Sequence, residues 1–181
     1  MNARILLTLG VIFGLAAAVR ATPVELPTVG HVDLSRYVGT WYEIARYPNR
    51  FERDCDRDVT AQYSMRSDGQ IRVVNECTTA QGKIKRSVGS ALVVDTTTNA
   101  KLKVTFFWPF YGKYWIIDLG QNYEYAVVGE PSREYLWILS RSAEMPDSTY
   151  QQIERRLSAL AYDGAKLVRT KQTKTAASGP S

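Results

Sequence analysis

Histidine occurs once in the 181 residues, at His31, and cysteine only twice, at Cys55 and Cys77. With its lone imidazole ahead of the first strand, the chain cannot assemble a Ser-His-Asp arrangement or a histidine-rich metal site. A Gly-x-Ser-x-Gly elbow and a phosphate-cradling glycine loop are missing as well. Long apolar runs are equally scarce. The only one covers 5–19, short of the ~20 apolar residues that a spanning helix needs. Lys and Arg are scattered along the chain and not gathered with stacking aromatics, so nothing favours a nucleic-acid partner. No cofactor-binding pattern is found either.

What is present at the N-terminus is ordered as an export signal. Met1-Asn2-Ala3-Arg4 is followed by the apolar run and then by Arg20-Ala21-Thr22-Pro23, which is the sequence charged, apolar, small. Cleavage is expected after Ala21, with Ala18 as the alternative, giving a signal over 1–21, one domain over 22–169 and a disordered tail over 170–181. Loss of Arg4 and Arg20 leaves 21 basic residues against 18 acidic ones, a net charge of +3. A lipid-anchored bacterial protein would carry a cysteine just after the run, yet the first is Cys55. Two cysteines in an exported chain predict a Cys55–Cys77 disulfide.

Between Trp41 and Arg141 short alternating or β-branched stretches recur between turn residues, without helical period. Strands are expected at 41–47, 59–65, 70–78, 85–95, 101–107, 114–119, 125–129 and 135–140. Eight strands suit a closed up-and-down antiparallel β-barrel with room for one ligand. The turn Ser67-Asp68-Gly69 tests this reading. A three-residue loop with Gly69 left-handed pairs Met65 with Ile71, Tyr63 with Val73, Ala61 with Asn75 and Val59 with Cys77, giving one nearly apolar face. Pro146-Asp147-Ser148 opens a helix whose Ile153, Leu157, Leu160 and Ala161 recur at helical spacing until Asp163-Gly164. That helix, packed outside the barrel, explains why Leu136-Trp137-Ile138-Leu139 needs no alternation: it is buried on both faces. A short closing strand is expected at 166–169.

The segment from Arg36 through Gly39-Thr40-Trp41 to Ala45 resembles the Gly-x-Trp signature of the lipocalins, and Ser140-Arg141 matches the family's arginine that lies across that tryptophan. Phe106-Phe107-Trp108-Pro109-Phe110-Tyr111-Gly112-Lys113-Tyr114 and the run from Tyr135 to Arg141 resemble the bacterial lipocalins related to apolipoprotein D. The likeness spans about 32–168. It departs at Gln121-Asn122-Tyr123, where the family's middle motif usually reads Thr-Asp-Tyr, and in lacking the acylated cysteine of well-known bacterial members.

The resemblance implies a binder, not an enzyme: a barrel holding a fatty acid, lysophospholipid or other small apolar molecule in the envelope of a Gram-negative bacterium, as monomer or homodimer; the missing cysteine places it free in the periplasm, without a lipid anchor. Gly39, Trp41 and Arg141 become structural residues of the barrel floor. Parity with Arg141 turns Leu139 and Trp137 inward. Leu102, Val104 and Phe106 form an apolar face against Lys101, Lys103 and Thr105, and Tyr63, Val73 and Asn75 share the inner hairpin face, Asn75 being its polar member. For Tyr114 either parity is open, and only the resemblance turns it inward. Phe110 and Tyr111 are expected in a loop at the open rim, where they can meet an entering lipid or a membrane surface. Two alternatives stand beside this reading: an isomerase or peroxidase using the inward Cys77 as a thiolate, and a structural module whose barrel is filled by its own side chains.

Overall fold

The computed structural model describes residues 25–173. The expected signal and the end of the expected tail lie outside these residues. A helical turn α1 (Leu34–Tyr37) leads into β1 (Gly39–Arg46), β2 (Arg57–Met65), β3 (Ile71–Thr78), β4 (Ile84–Val93), β5 (Lys101–Phe107), β6 (Phe110–Leu119), β7 (Tyr125–Gly129) and β8 (Leu136–Ser140), followed by α2 (Asp147–Ala159) and a short β9 (Val168–Arg169). Each strand pairs antiparallel with the next, and β1 pairs with both β8 and β2, which closes an eight-stranded up-and-down barrel.

The β2–β3 hairpin has the register that its apolar pattern predicts. Met65 faces Ile71, Tyr63 faces Val73 and Ala61 faces Asn75, with Gly69 at φ +79°. The expected Val59–Cys77 pair is displaced, because the ladder shifts between Arg57 and Thr60 and Asp58 adopts φ +53°. Met65, placed on the inner face by alternation, is about half exposed, since it lies past the floor at the closed end.

Two apolar clusters divide the molecule. The first fills the barrel from Val32, Tyr37 and Trp41 up through Tyr63, Val73, Leu102, Ile116, Val128 and Leu139. The second lies between the barrel wall and α2, where Leu136 and Ile138 meet Tyr150, Ile153 and Leu157. The run 136–139 is thus buried on both sides, as its lack of alternation requires. Helix α2 ends one turn before the expected Asp163-Gly164 stop. Ala161 takes φ +61° and is exposed instead of extending the apolar face, while the Tyr162 amide donates back to Leu157 O at 3.0 Å, a left-handed helix terminus formed without glycine.

The C-terminal segment corrects a further expectation. Disorder was expected from Thr170, yet 170–173 are built into the wall. β1 pairs with β2 only over Gly39–Tyr42. Above that the two strands splay, and the chain after β9 fills the gap. The Thr170 amide donates to Ile44 O and the Asp58 amide to Lys171 O. Gln172 Nε2 donates to Glu43 O on one side at 2.8 Å and to Val59 O on the other at 2.9 Å. Thr173 donates through its amide and hydroxyl to the Asp58 carboxylate. A polar segment that cannot bury apolar area is held instead by backbone groups that the splayed strands leave unpaired.

Candidate ligand cavity

The floor is built around Trp41, whose ring is fully buried and whose indole Nε1 donates to Tyr37 O at 2.8 Å. Arg141 lies across it with the guanidinium carbon 3.8 Å from the ring centroid. Its Nη2 donates to the carbonyls of Arg36 and Val38 at 2.6 and 2.9 Å, and its Nη1 donates to Thr40 O at 2.9 Å. One cation therefore gathers the carbonyls at the end of α1 and the start of β1, where partial negative charge accumulates, and seals the indole face. Gly39 makes this approach possible. It sits at φ +100°, and an added Cβ would come 3.2 Å from Arg141 Nη1. The Gln121-Asn122-Tyr123 turn keeps a floor role despite its departure from the family motif: Tyr123 OH accepts from the Asp33 amide at 2.8 Å, and the Arg36 guanidinium stacks on its ring.

Above the floor the sequence-predicted residues fall into two groups. Tyr63, Val73, Leu102 and Leu139 are buried in the interior cluster, and Val104, Tyr114 and Trp137 pack against it while only half-buried. Asn75 is also half-buried on the inner face, and its Oδ1 meets no donor. The wall is closed, so the exposure of these inward residues opens onto space inside the barrel or at its mouth. The parity of Tyr114 is resolved inward, with Trp115 outside against Lys101; the register shift between Ile116 and Asp118 then changes the phase of the strand. Tyr114 OH lies 2.7 Å from Tyr37 OH and 3.0 Å from Tyr63 OH. Burial raises all three phenols, Tyr63 up to about 12, so the triad is neutral at any physiological pH.

Phe106 and Phe110 do not join this group. The β5–β6 ladder shifts after Val104, near the mouth, yet Phe106 stays on the inward side, over the face that Gly89 shares with Val73. Phe106 is 42% exposed at the mouth, its ring lying over Gly89. Phe110 opens β6 instead of standing in a loop. It is 71% exposed at a tight hairpin tip, stacked on Phe107, with Trp108 and Tyr111 beside it.

Three charged residues were missed in the sequence. Glu43 is 2% exposed on the inner face of β1, where its Oε1 accepts from Arg46 Nη1 at 2.8 Å and from the Thr170 hydroxyl. Arg46 Nε faces Glu52 Oε2 at 2.9 Å, and Glu52 Oε1 accepts from Trp137 Nε1 at 2.9 Å. Burial, with the neighbouring Glu52 charge second, pushes the Glu43 carboxyl up to about 8. The signal lay in the alternation from Trp41, which places Glu43 inward beside the floor. Glu52 comes from the loop 47–56, folded back at the mouth by the Cys55–Cys77 disulfide (Cα–Cα 5.6 Å) and a Lys85–Asp54 ion pair. With both cysteines so joined, the thiolate that the isomerase or peroxidase reading needs is not available.

A closed eight-stranded barrel with an arginine-capped tryptophan floor and an aromatic interior belongs to the up-and-down β-barrels of the size that can hold one small ligand. The family model described as a lipocalin-like domain matches residues 32–172, and the chain belongs to the lipocalins. It is 41% identical to the outer membrane lipoprotein Blc of Escherichia coli over 151 residues, covering 83% of this chain and 85% of that one. It is 40% identical to temperature-induced lipocalin-1 of Arabidopsis thaliana over 159 residues, with the same shares of the two chains. Apolipoprotein D of Macaca fascicularis is 32% identical over 93% of this chain and 95% of its own. Among solved structures, insecticyanin from the tobacco hornworm superposes with a TM-score of 0.67 at 21% identity over 81% of this chain and 84% of that one, a likeness of fold.

Proposed function

We propose that the protein carries or stores one single-chain lipid, a fatty acid or lysophospholipid, inside its barrel, and does so as an exported protein of the bacterial envelope engaged in lipid maintenance. The observation that carries the reading is the half-buried inward set of Trp137, Tyr114, Val104 and Asn75 on a closed wall, which speaks against a barrel packed solid by its own side chains. Enclosing a C16 acyl chain removes several hundred Å² of apolar surface from water. At ~25 cal/mol per Å² that is on the order of 10 kcal/mol before association costs, enough for micromolar binding.

Support for an envelope setting comes from the bacterial relatives, whose name places them at the outer membrane. The exposed aromatic tip of the β5–β6 hairpin, at the same end of the barrel as the loop 47–56, suits peripheral contact with a bilayer interface. The test is a fluorescence titration with palmitate and with a lysophospholipid. Trp41 is sealed under Arg141 and Trp108 and Trp115 lie outside the cavity, so quenching belongs to Trp137 and is lost in Trp137→Phe. Quenching that persists in that variant, or none in the wild type, overturns the interior site.

A further inference from the structure

The β5–β6 hairpin carries its aromatics and its cations at different heights. Phe107, Trp108 and Phe110 stand exposed at the tip, beyond the residues that the barrel buries. Below them, on the outer face, Lys103 and Lys113 are directly opposite each other in the ladder, and both are exposed. Like charges so placed repel, and among the described residues neither enters an ion pair with a carboxylate. Lys103 leans toward the tip, its Nζ 4.7 Å from the centre of the Tyr111 ring. Four residues separate Lys103 from Phe107, which on a tilted strand is about 10 Å along the barrel axis. The loop 47–56 repeats the arrangement at the same end, with Phe51 exposed and the Arg50 guanidinium over its ring. The charges of this end are unbalanced. Asp54 and Asp56 are engaged by Lys85 and Arg57, and Glu52 by Arg46. Among the described residues Arg50, Arg53, Lys83, Lys103 and Lys113 enter no ion pair. Against them stand Glu130, whose carboxylate is held by backbone amides, and the exposed Glu134.

We propose that this end of the barrel docks on an anionic bilayer surface, with the aromatic tip of the hairpin in the interface and Lys103 and Lys113 sharing a lipid phosphate between them. The inference rests on the peripheral contact proposed for this hairpin and deepens it, by naming the charge of the surface and the residues that read it. An amphipathic surface element enters an interface by about 5–10 Å. That depth brings the two ammonium groups to the level of the phosphates once their stems extend toward the tip, while Trp108 lies where indoles are favoured. A phosphate between the lysines turns their repulsion into attraction. A bilayer supplies that anion and an apolar layer for three rings at once, at the heights at which the hairpin presents their partners. Each cation brought near an anionic surface strengthens binding about fivefold.

The test is sedimentation of the mature protein with vesicles of phosphatidylcholine alone and of phosphatidylcholine with a third phosphatidylglycerol. The wild type is expected to bind the anionic vesicles on the order of tenfold or more tighter than the neutral ones, and to lose most of that advantage at about 0.5 M salt. The double variant Lys103→Gln, Lys113→Gln should lose most of it at low salt, with binding to neutral vesicles and the melting temperature unchanged. The triple variant Phe107→Ser, Trp108→Ser, Phe110→Ser should bind both vesicles more weakly. Equal binding of the wild type to both vesicles, a preference that salt does not move, or one that the lysine variant keeps overturns the charge reading while leaving the membrane contact intact. No binding of the wild type to either vesicle overturns the contact itself, and a wild-type dimer that the serine variant dissociates then assigns the tip to a second copy of the chain. The salt series needs no variant and decides if a substituted chain does not fold. Palmitate titration of the same variants reads the interior separately and is expected to be unchanged, so failure of the docking surface is distinguishable from failure of the lipid-binding reading.

Discussion

Arg141 does more for this fold than any single surface charge ordinarily does. It combines a stack on a fully buried indole with donation to four carbonyls, at Arg36, Tyr37, Val38 and Thr40. Arg141→Ala should cost about 2–4 kcal/mol, because the carbonyls lose charged donors and the Trp41 face opens to water; thermal unfolding checks this, and Arg141→Lys should recover only part of the loss, lacking the planar fork. Glu43 makes a second prediction. Its carboxyl titrates near 8 in the fold but near 4.5 in the unfolded chain, so between these values the folded state holds the extra proton. Stability should be greatest below about pH 4.5 as far as this group is concerned and should fall as pH rises toward 8. Glu43→Gln should flatten that slope, as melting curves between pH 5 and 8 would read, and an unchanged slope would contradict the burial argument. At this scale the sequence was most legible where residues obey strict alternation. Leu102, Val73, Tyr63 and Leu139 lie where their parity puts them, and Phe106 keeps its inward side over Gly89 while standing 42% exposed at the mouth, because the strand there runs past the buried interior.

Among the elements, hairpins with a glycine at a required left-handed position were readable in full, as the β2–β3 register shows. Bulges were not. The shifts near Asp58, between Glu43 and Ala45, and after Ile116 each change which residues face inward, and none involves a residue type that announces them. The C-terminal segment was misread for a related reason: composition reports that 170–173 bury little, but it cannot report that β1 and β2 splay and leave backbone donors and acceptors to be paired. Truncation after Arg169 should therefore destabilise the barrel and raise hydrogen exchange at the Asp58 amide, which Lys171 O protects. The disulfide has a comparable role for the loop 47–56. Closing a loop of 22 residues contributes about 3 kcal/mol through the unfolded chain, so reduction should lower the melting temperature and free Glu52 from Trp137. The aromatic hairpin tip belongs to a different economy, since Phe107, Trp108 and Phe110 are 75%, 78% and 71% exposed and stabilise little. Replacing them by serine should leave the melting temperature nearly unchanged while reducing sedimentation with phospholipid vesicles; equal sedimentation would dismiss the membrane contact.

For the molecule as a whole, the structure joins a floor sealed by packing to an open mouth. The floor is fixed by Trp41, Arg141 and Gly39, the rim by one disulfide and an inserted C-terminal segment, and the interior between them carries apolar walls with a small polar set beside Trp137. The class of fold was legible because eight alternating segments, one external helix and a tryptophan–arginine pair a hundred residues apart leave few arrangements. The polar set was not, because a buried acid is visible in a sequence only once the inward face of its strand is known. The central claim is that the barrel encloses a lipid, and native mass spectrometry of the mature protein purified without detergent tests it most directly. The account predicts a mass increment of one single-chain lipid per protein that organic extraction removes and releases for identification. A mass equal to that of the bare chain, unchanged after incubation with palmitate, a lysophospholipid and 1-palmitoylglycerol, would contradict it.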